Sequence, residues 1–193
     1  MRRQPAKVLE PGDVRRLIDH VSGHRHPLRN EVMILLSFNA GLRACEMAGL
    51  DWQMVLTSDD RIGDQLNLGR GITKGGRPRQ IPLNTQLRSA LRRLHRYDGK
   101  PLAGPVIRSE RRAHMTPRSI VNWFASTYAE IGLIGCSSHS GRRTFITRSA
   151  RLITKIGGSL RDVQELAGHR ALTTTERYIE GDRAAQRRLV ALL

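Results

Sequence analysis

The chain has 193 residues, enough to bury a full core in one domain or in one domain with a small appendage. Its net charge is +16, and only four of its 33 cationic side chains are lysines. Two cysteines exclude a disulfide framework, no Cys/His group has zinc-site spacing, and no apolar run approaches the length of a membrane span.

Residues 1–8 read as a basic arm and residues 9–193 as a single domain. Pro11 suits the first turn of a helix in which Val14, Leu17, Ile18 and Val21 recur at helical spacing. His24, Arg25, His26 and Pro27 read as a connector and not as a metal site, because no acidic or cysteine partner stands near them. A second helix, over about residues 28–40, carries the apolar block from Val32 to Leu36 and reads as the central buried helix. Gly41 stops it. Leu42, Cys45, Met47 and Leu50 can then pack inward from a new amphipathic turn, which leaves Arg43 near a helix N-terminus where backbone amides favour an anion. Glu46, on the same helix face, either orients an arginine or makes a simple local ion pair.

The period changes between residues 52 and 83. Short runs at 54–56, 65–68 and 80–83, separated by Asp/Gly turns, predict three small antiparallel strands. The last turn, residues 73–79, sets Lys74 on a glycine hairpin. Residues 84–97 predict a helix with Leu87, Ala90, Leu91 and Leu94 inward, and with Arg88, Arg92, Arg93 and Arg96 either facing a polyanion or solvated. A Pro/Gly connector follows at 99–104 and a charged loop at 108–114; Thr116 and Pro117 then open a helix that turns Ile120, Trp123, Phe124, Thr127 and Ile131 inward. The fold class is α+β, mainly α, with a small three-stranded antiparallel sheet.

The densest chemistry lies between residues 138 and 178. His139 and Arg142 stand three apart at the opening of a helix and so share a face, where both can address one anion. A further helix with Leu160, Val163, Leu166 and Ala167 at helical spacing closes at Gly168, immediately before His169. The hydroxyls of Thr173, Thr174 and Thr175 suit the cap of a short helix carrying Tyr178, and residues 182–193 form an amphipathic tail. The dominance of arginine, whose planar fork grips phosphate oxygens in pairs, points to a polyanionic partner, with a merely solvated basic surface as the other reading. Residues 1–13 lack the apolar core of a signal peptide, so the expected compartment is the cytoplasm, with association to the nucleoid.

The ordered set His139-x-x-Arg142, Gly168-His169 and Tyr178, together with Gly41-Leu42-Arg43-x-x-Glu46, resembles the tyrosine recombinase, or phage integrase, family. The resemblance covers the chain from about Val8 onward and implies the integrase-like, DNA breaking–rejoining catalytic domain. It also implies that Arg43 and Arg142 clamp a scissile phosphate, that His139 moves the phenol proton, that Lys74 serves the leaving oxygen and that His169 donates a hydrogen bond to the phosphate. Tyr178 is then the nucleophile of a 3′-phosphotyrosyl intermediate, and no metal or other cofactor is needed. The implied partners are double-stranded DNA, further copies of the chain in a tetrameric synapse that the tail helps to join, and accessory DNA-bending proteins; none is a membrane. The physical need is clear: fixed guanidinium donors stabilise the extra charge that builds on the non-bridging oxygens during phosphoryl transfer.

Two features depart from the family pattern, in that Ser140-Gly141 stands where an acidic residue and leucine are usual and residues 149–158 are slightly long. The separate helical domain of larger members is not found in these 193 residues, as in compact members that invert promoter segments. The expected function is site-specific recombination, by integration, excision or inversion. The alternatives are a DNA-binding regulator that keeps the fold without cutting, and an enzyme of the type IB topoisomerase kind.

Overall fold

The structure, a computed structural model, describes residues 6–73 and 75–178 together with residues 187, 190 and 191. The chain enters through an extended segment that is not loose: Leu9 is buried, and its amide donates to Thr144 Oγ1 at 2.9 Å, 135 residues later in the chain. Helix α1 (Pro11–Ser22) starts on a proline whose fixed φ suits a first turn, and Asp13 reaches back to accept the Glu10 amide. Helix α2 (Pro27–Asn39) is apolar on nearly every face, with Val32, Met33, Ile34, Leu35 and Leu36 all fully buried. It ends as the sequence predicts. Gly41 takes φ 62°, the Leu42 amide donates back to the Leu36 carbonyl, and any side chain on Gly41 would strike the Phe145 ring.

Helix α3 (Ala44–Ala48) follows with Arg43 at its N-cap. Cys45, expected inside, is exposed; the helix instead turns Glu46, Met47 and Ala48 inward, because Glu46 is drawn in by two arginines. The first of the three expected strands is also absent. Asp51 accepts the Gln53 amide and starts a 3₁₀ turn over Trp52–Met54 that buries the indole completely, so Leu56 is left with an isolated bridge to Ile62. The sheet therefore has two strands, β1 (Gln65–Leu68) and β2 (Arg79–Pro82). They are antiparallel, with Leu66 opposite Ile81 and Leu68 opposite Arg79.

Helix α4 (Thr85–Tyr97) is capped by the Asn84 side chain and buries Leu87, Ala90, Leu91 and Leu94. Two of its arginines have structural partners, Arg88 at the Ile62 carbonyl and Arg93 at both Glu31 oxygens, while Arg92 and Arg96 are exposed. Helix α5 (Pro117–Glu130), capped by Thr116, buries Ile120, Phe124, Thr127 and Tyr128 and leaves Trp123 half-buried. At its end Glu130 meets His20 at 2.9 Å and lies 4.0 Å from His24, so the connector after α1 does have an acidic neighbour, brought there by the fold.

Helices α6 (Ser140–Ile153), α7 (Leu160–Ala167) and α8 (Leu172–Glu176) enclose a second, smaller core. Ile146, Val163 and Ala167 are its centre, with Phe145, Ile153, Leu160 and Tyr178 around them. The threonines do not cap α8: Ala171 holds the N-cap position, Thr175 is buried inside the helix, and Tyr178 lies in the turn beyond it. The tail at 182–193 lies largely outside the described residues. Among the described residues no helix is long and apolar enough to cross a membrane.

Helix α2 packs against α1, α4 and α6, and so joins the two cores. The α2–α6 contact explains Gly141, since a Cβ there would collide with Ser37 Oγ and press on the Phe38 ring. Gly141→Ala is expected to lower stability by about 1–3 kcal/mol through overpacking, read as a lower urea midpoint. An unchanged midpoint would show that this helix spacing is soft.

Candidate active site

Glu46 is fully buried, and its carboxylate gathers two arginines from different elements. Oε2 accepts the Arg43 amide at 2.8 Å and Oε1 accepts Arg43 Nη1 at 2.9 Å, while Arg79 Nη1 and Nη2 bind the two oxygens at 2.8 and 2.9 Å. A carboxylate without water stays ionised only when paired in this way. Burial pushes the Glu46 carboxyl up, but the Arg79 hydrogen bonds and charge, with Arg43 added, overcome burial and hold it below the usual range. Arg79 Nε also donates to the Leu166 carbonyl at 3.1 Å, which fastens β2 to the last turn of α7.

Arg142 comes in from α6 and is only 3% exposed. Its Nη1 donates to the Gly41 carbonyl and its Nη2 to the Ala167 carbonyl, both at 2.6 Å. The Ala167 carbonyl is one that the end of α7 leaves unsatisfied, and the Gly41 carbonyl belongs to the glycine that stops α2, so the sequence signals that stop those helices also create the seat for this guanidinium. Nη2 lies 3.0 Å from His169 Nε2. A guanidinium only donates, so His169 Nε2 is the acceptor. The ring proton is then on Nδ1, which donates to Thr175 Oγ1 at 2.9 Å.

Burial, with Arg43 close by, pushes Arg142 down to about 10, against the opposing pull of Glu46 and Tyr178. Burial and then the charges of Arg142, Arg43 and Arg79 push His169 down to about 4, so the ring is neutral at pH 7. Arg43, Arg79 and Arg142 thus bear on one spot, with Glu46 as the buried carboxylate that offsets them. Such a cluster favours an incoming anion.

Tyr178 completes the group. Its ring stacks on that of His169 with centroids 5.5 Å apart and 23° between planes, and its carbonyl accepts Thr147 Oγ1 at 3.0 Å. The Arg143 guanidinium lies 5.7 Å from the Tyr178 ring centroid. A cavity of about 330 Å³ opens beside the phenol, lined by Lys7, Val8, Arg143, Thr147 and Arg151.

Of the residues the sequence singled out, Arg43, Arg142, His169 and Tyr178 come together. His139 is exposed at the N-cap of α6, three residues before Arg142. Lys74 lies outside the described residues, but Gly75 beside it faces Arg170, where a Cβ would stand 2.7 Å from Nη2. Arg79 and Thr175 were not singled out. Strand alternation carried a signal for Arg79, because it shares a face with the buried Ile81. Nothing local distinguished Thr175 from its two neighbours.

Residues 7–184 match the model of the phage integrase family. The tyrosine recombinase XerC of Myxococcus xanthus is 32% identical over 164 residues, covering 79% of this chain and 50% of that protein. The tyrosine recombinase XerA of Pyrococcus furiosus is 28% identical over 182 residues, covering 89% and 56%. The chain therefore spans about half the length of the curated relatives it matches. Among solved structures, the crystal structure of XerA recombinase superposes with a TM-score of 0.71 at 21% identity, covering 98% of this chain and 66% of that one. The Tn1549 transposon integrase in complex with transposon right end DNA gives 0.73 at 19% identity, covering 96% and 65%. These likenesses confirm the mainly helical fold with a small sheet.

Two outcomes are expected. Glu46→Ala strands two guanidiniums and should cost about 3–5 kcal/mol of unfolding free energy in urea titrations, as for other broken buried pairs. For His169, nitrogen NMR should show a neutral ring protonated on Nδ1, with no titration until the pH approaches about 4. The unfolded chain takes up that proton first, near pH 6.5, so this group lowers stability as pH falls from about 6.5 to 4 and has no effect above pH 7. Titration near pH 6.5 would refute the buried arrangement.

Proposed function

The chain belongs to the phage integrase family, and from that premise we propose that it carries out site-specific DNA strand cleavage and rejoining with Tyr178 as nucleophile. The observation that carries the reading is the stacking of the Tyr178 ring on His169 directly beside the buried Arg142 guanidinium. A phosphodiester seated there has a nucleophile and buried cations close by.

Arg43 and Arg142 bind the non-bridging oxygens, whose charge grows as the phosphorus becomes five-coordinate. The phenol oxygen attacks phosphorus and the bond to the deoxyribose 5′-oxygen breaks, leaving a 3′-phosphotyrosyl ester and a 5′-hydroxyl. His139 takes the phenol proton and Lys74 supplies one to the leaving oxygen. Attack by a 5′-hydroxyl from another strand reverses the chemistry, and because the ester conserves the bond energy no ATP is consumed. As the phosphate claims Arg142 donors, His169 Nε2 loses its own. The neutral ring then turns donor by carrying its proton on Nε2, while Thr175 Oγ1 switches from accepting at Nδ1 to donating there.

Double-stranded DNA is the partner, consistent with the +16 charge and with a solved neighbour bound to transposon DNA. A tetrameric synapse and DNA-bending accessory proteins complete the reading.

The test is a nicked duplex carrying inverted repeats sought by sequencing the DNA that flanks the gene. The wild-type chain should form an adduct that survives denaturant, Tyr178→Phe should form none, and Arg142→Ala should cleave about 10²- to 10³-fold more slowly. An adduct retained by Tyr178→Phe overturns the assignment. Site-specific binding without any adduct makes the chain a regulator, and relaxation of supercoiled DNA without sequence preference makes it a topoisomerase.

A further inference from the structure

Away from the arginine cluster, the described residues hold one group with metal-ligand chemistry. His20 lies in the last turn of α1, His24 in the turn that follows, and Glu130 at the end of α5, 110 residues after His20. We propose that His20, His24 and Glu130 form a binding site for a divalent transition metal of the zinc kind.

The geometry fits a shared ion. Glu130 Oε2 lies 2.9 Å from His20 Nε2 and 4.0 Å from His24 Nε2, and all three ligand atoms fall within 4.8 Å of one another. Donors arranged tetrahedrally around zinc at ~2.0–2.2 Å stand ~3.3 Å apart, so the two distances from Glu130 Oε2 bracket the required one and small side-chain rotations close the set. Ser126 Oγ donates to the other carboxylate oxygen, Oε1, at 2.8 Å, which leaves Oε2 turned toward the imidazoles. Support of this kind from outside the ligand set is usual for a ligating carboxylate.

Two imidazoles and one carboxylate suit zinc and its neighbours and not magnesium or calcium, which take oxygen ligands almost exclusively. All three side chains are partly exposed, so the ion has an entry path and a water can complete the coordination. The bound ion would clamp the end of α1 to the end of α5, the helix on which α3 and its Glu46 rest.

The full chain, stripped with EDTA and titrated with ZnCl₂ at neutral pH, should bind one ion by calorimetry. Its thermal midpoint should rise by about 5–10 °C at about a hundredfold excess over Kd, and MgCl₂ should do nothing. His24→Ala keeps the 2.9 Å His20–Glu130 contact and so should fold normally, yet lose binding and shift at least tenfold; Glu130→Gln should do the same. An unresponsive wild type, or equal zinc binding by wild type and His24→Ala, overturns the proposal.

Discussion

The buried carboxylate of Glu46 is the constraint on which the site depends. It receives Arg43 from its own helix and Arg79 from the sheet, and through Arg79 it reaches the last turn of α7. A helix, a strand and a second helix from the smaller core are therefore registered against one pair of oxygen atoms. Removing the charge would leave two guanidiniums in a low-dielectric setting with mutual repulsion and no counter-ion.

The arrangement accepts unfavourable electrostatics at its centre. Arg142 is drawn in among carbonyls and a neutral imidazole, and its charged form is disfavoured by burial and by Arg43, with Glu46 opposing them. His169 is kept neutral by burial and then by the charges of Arg142, Arg43 and Arg79. Folding thus gathers like charges that repel one another, and a cluster of this kind favours a negatively charged partner. The helix ends contribute as well. Gly41 and Gly168, both left-handed, stop α2 and α7 so that the carbonyls of Gly41 and Ala167 face Arg142.

Much of this was legible in the sequence, for specific reasons. Residues with a periodic signature were found: the buried block of α2, the glycine stops, the α4 stripe and the ordered basic motifs. What was missed depended on partners distant in the chain. Cys45 was expected inward because it falls at an apolar spacing, but Glu46 takes that side of α3 once Arg79 arrives from 33 residues away. Residues 54–56 were expected as a strand, yet the Asp51 cap and the buried Trp52 impose a 3₁₀ turn over Trp52–Met54 that leaves only the Leu56–Ile62 bridge. Glu130 could not be assigned to His20 and His24 from spacing, because only the packing of α5 against α1 brings them together.

Helix α6 has a further consequence. Thr144 holds the Leu9 amide, Arg142 sits two residues earlier on the same helix, and Thr147 holds the carbonyl of Tyr178. Tension applied along residues 6–9 is therefore delivered to a helix that also carries the buried Arg142 guanidinium and the threonine that holds the Tyr178 backbone. Whatever pulls or pushes on that segment has a direct mechanical linkage to Arg142 and Tyr178.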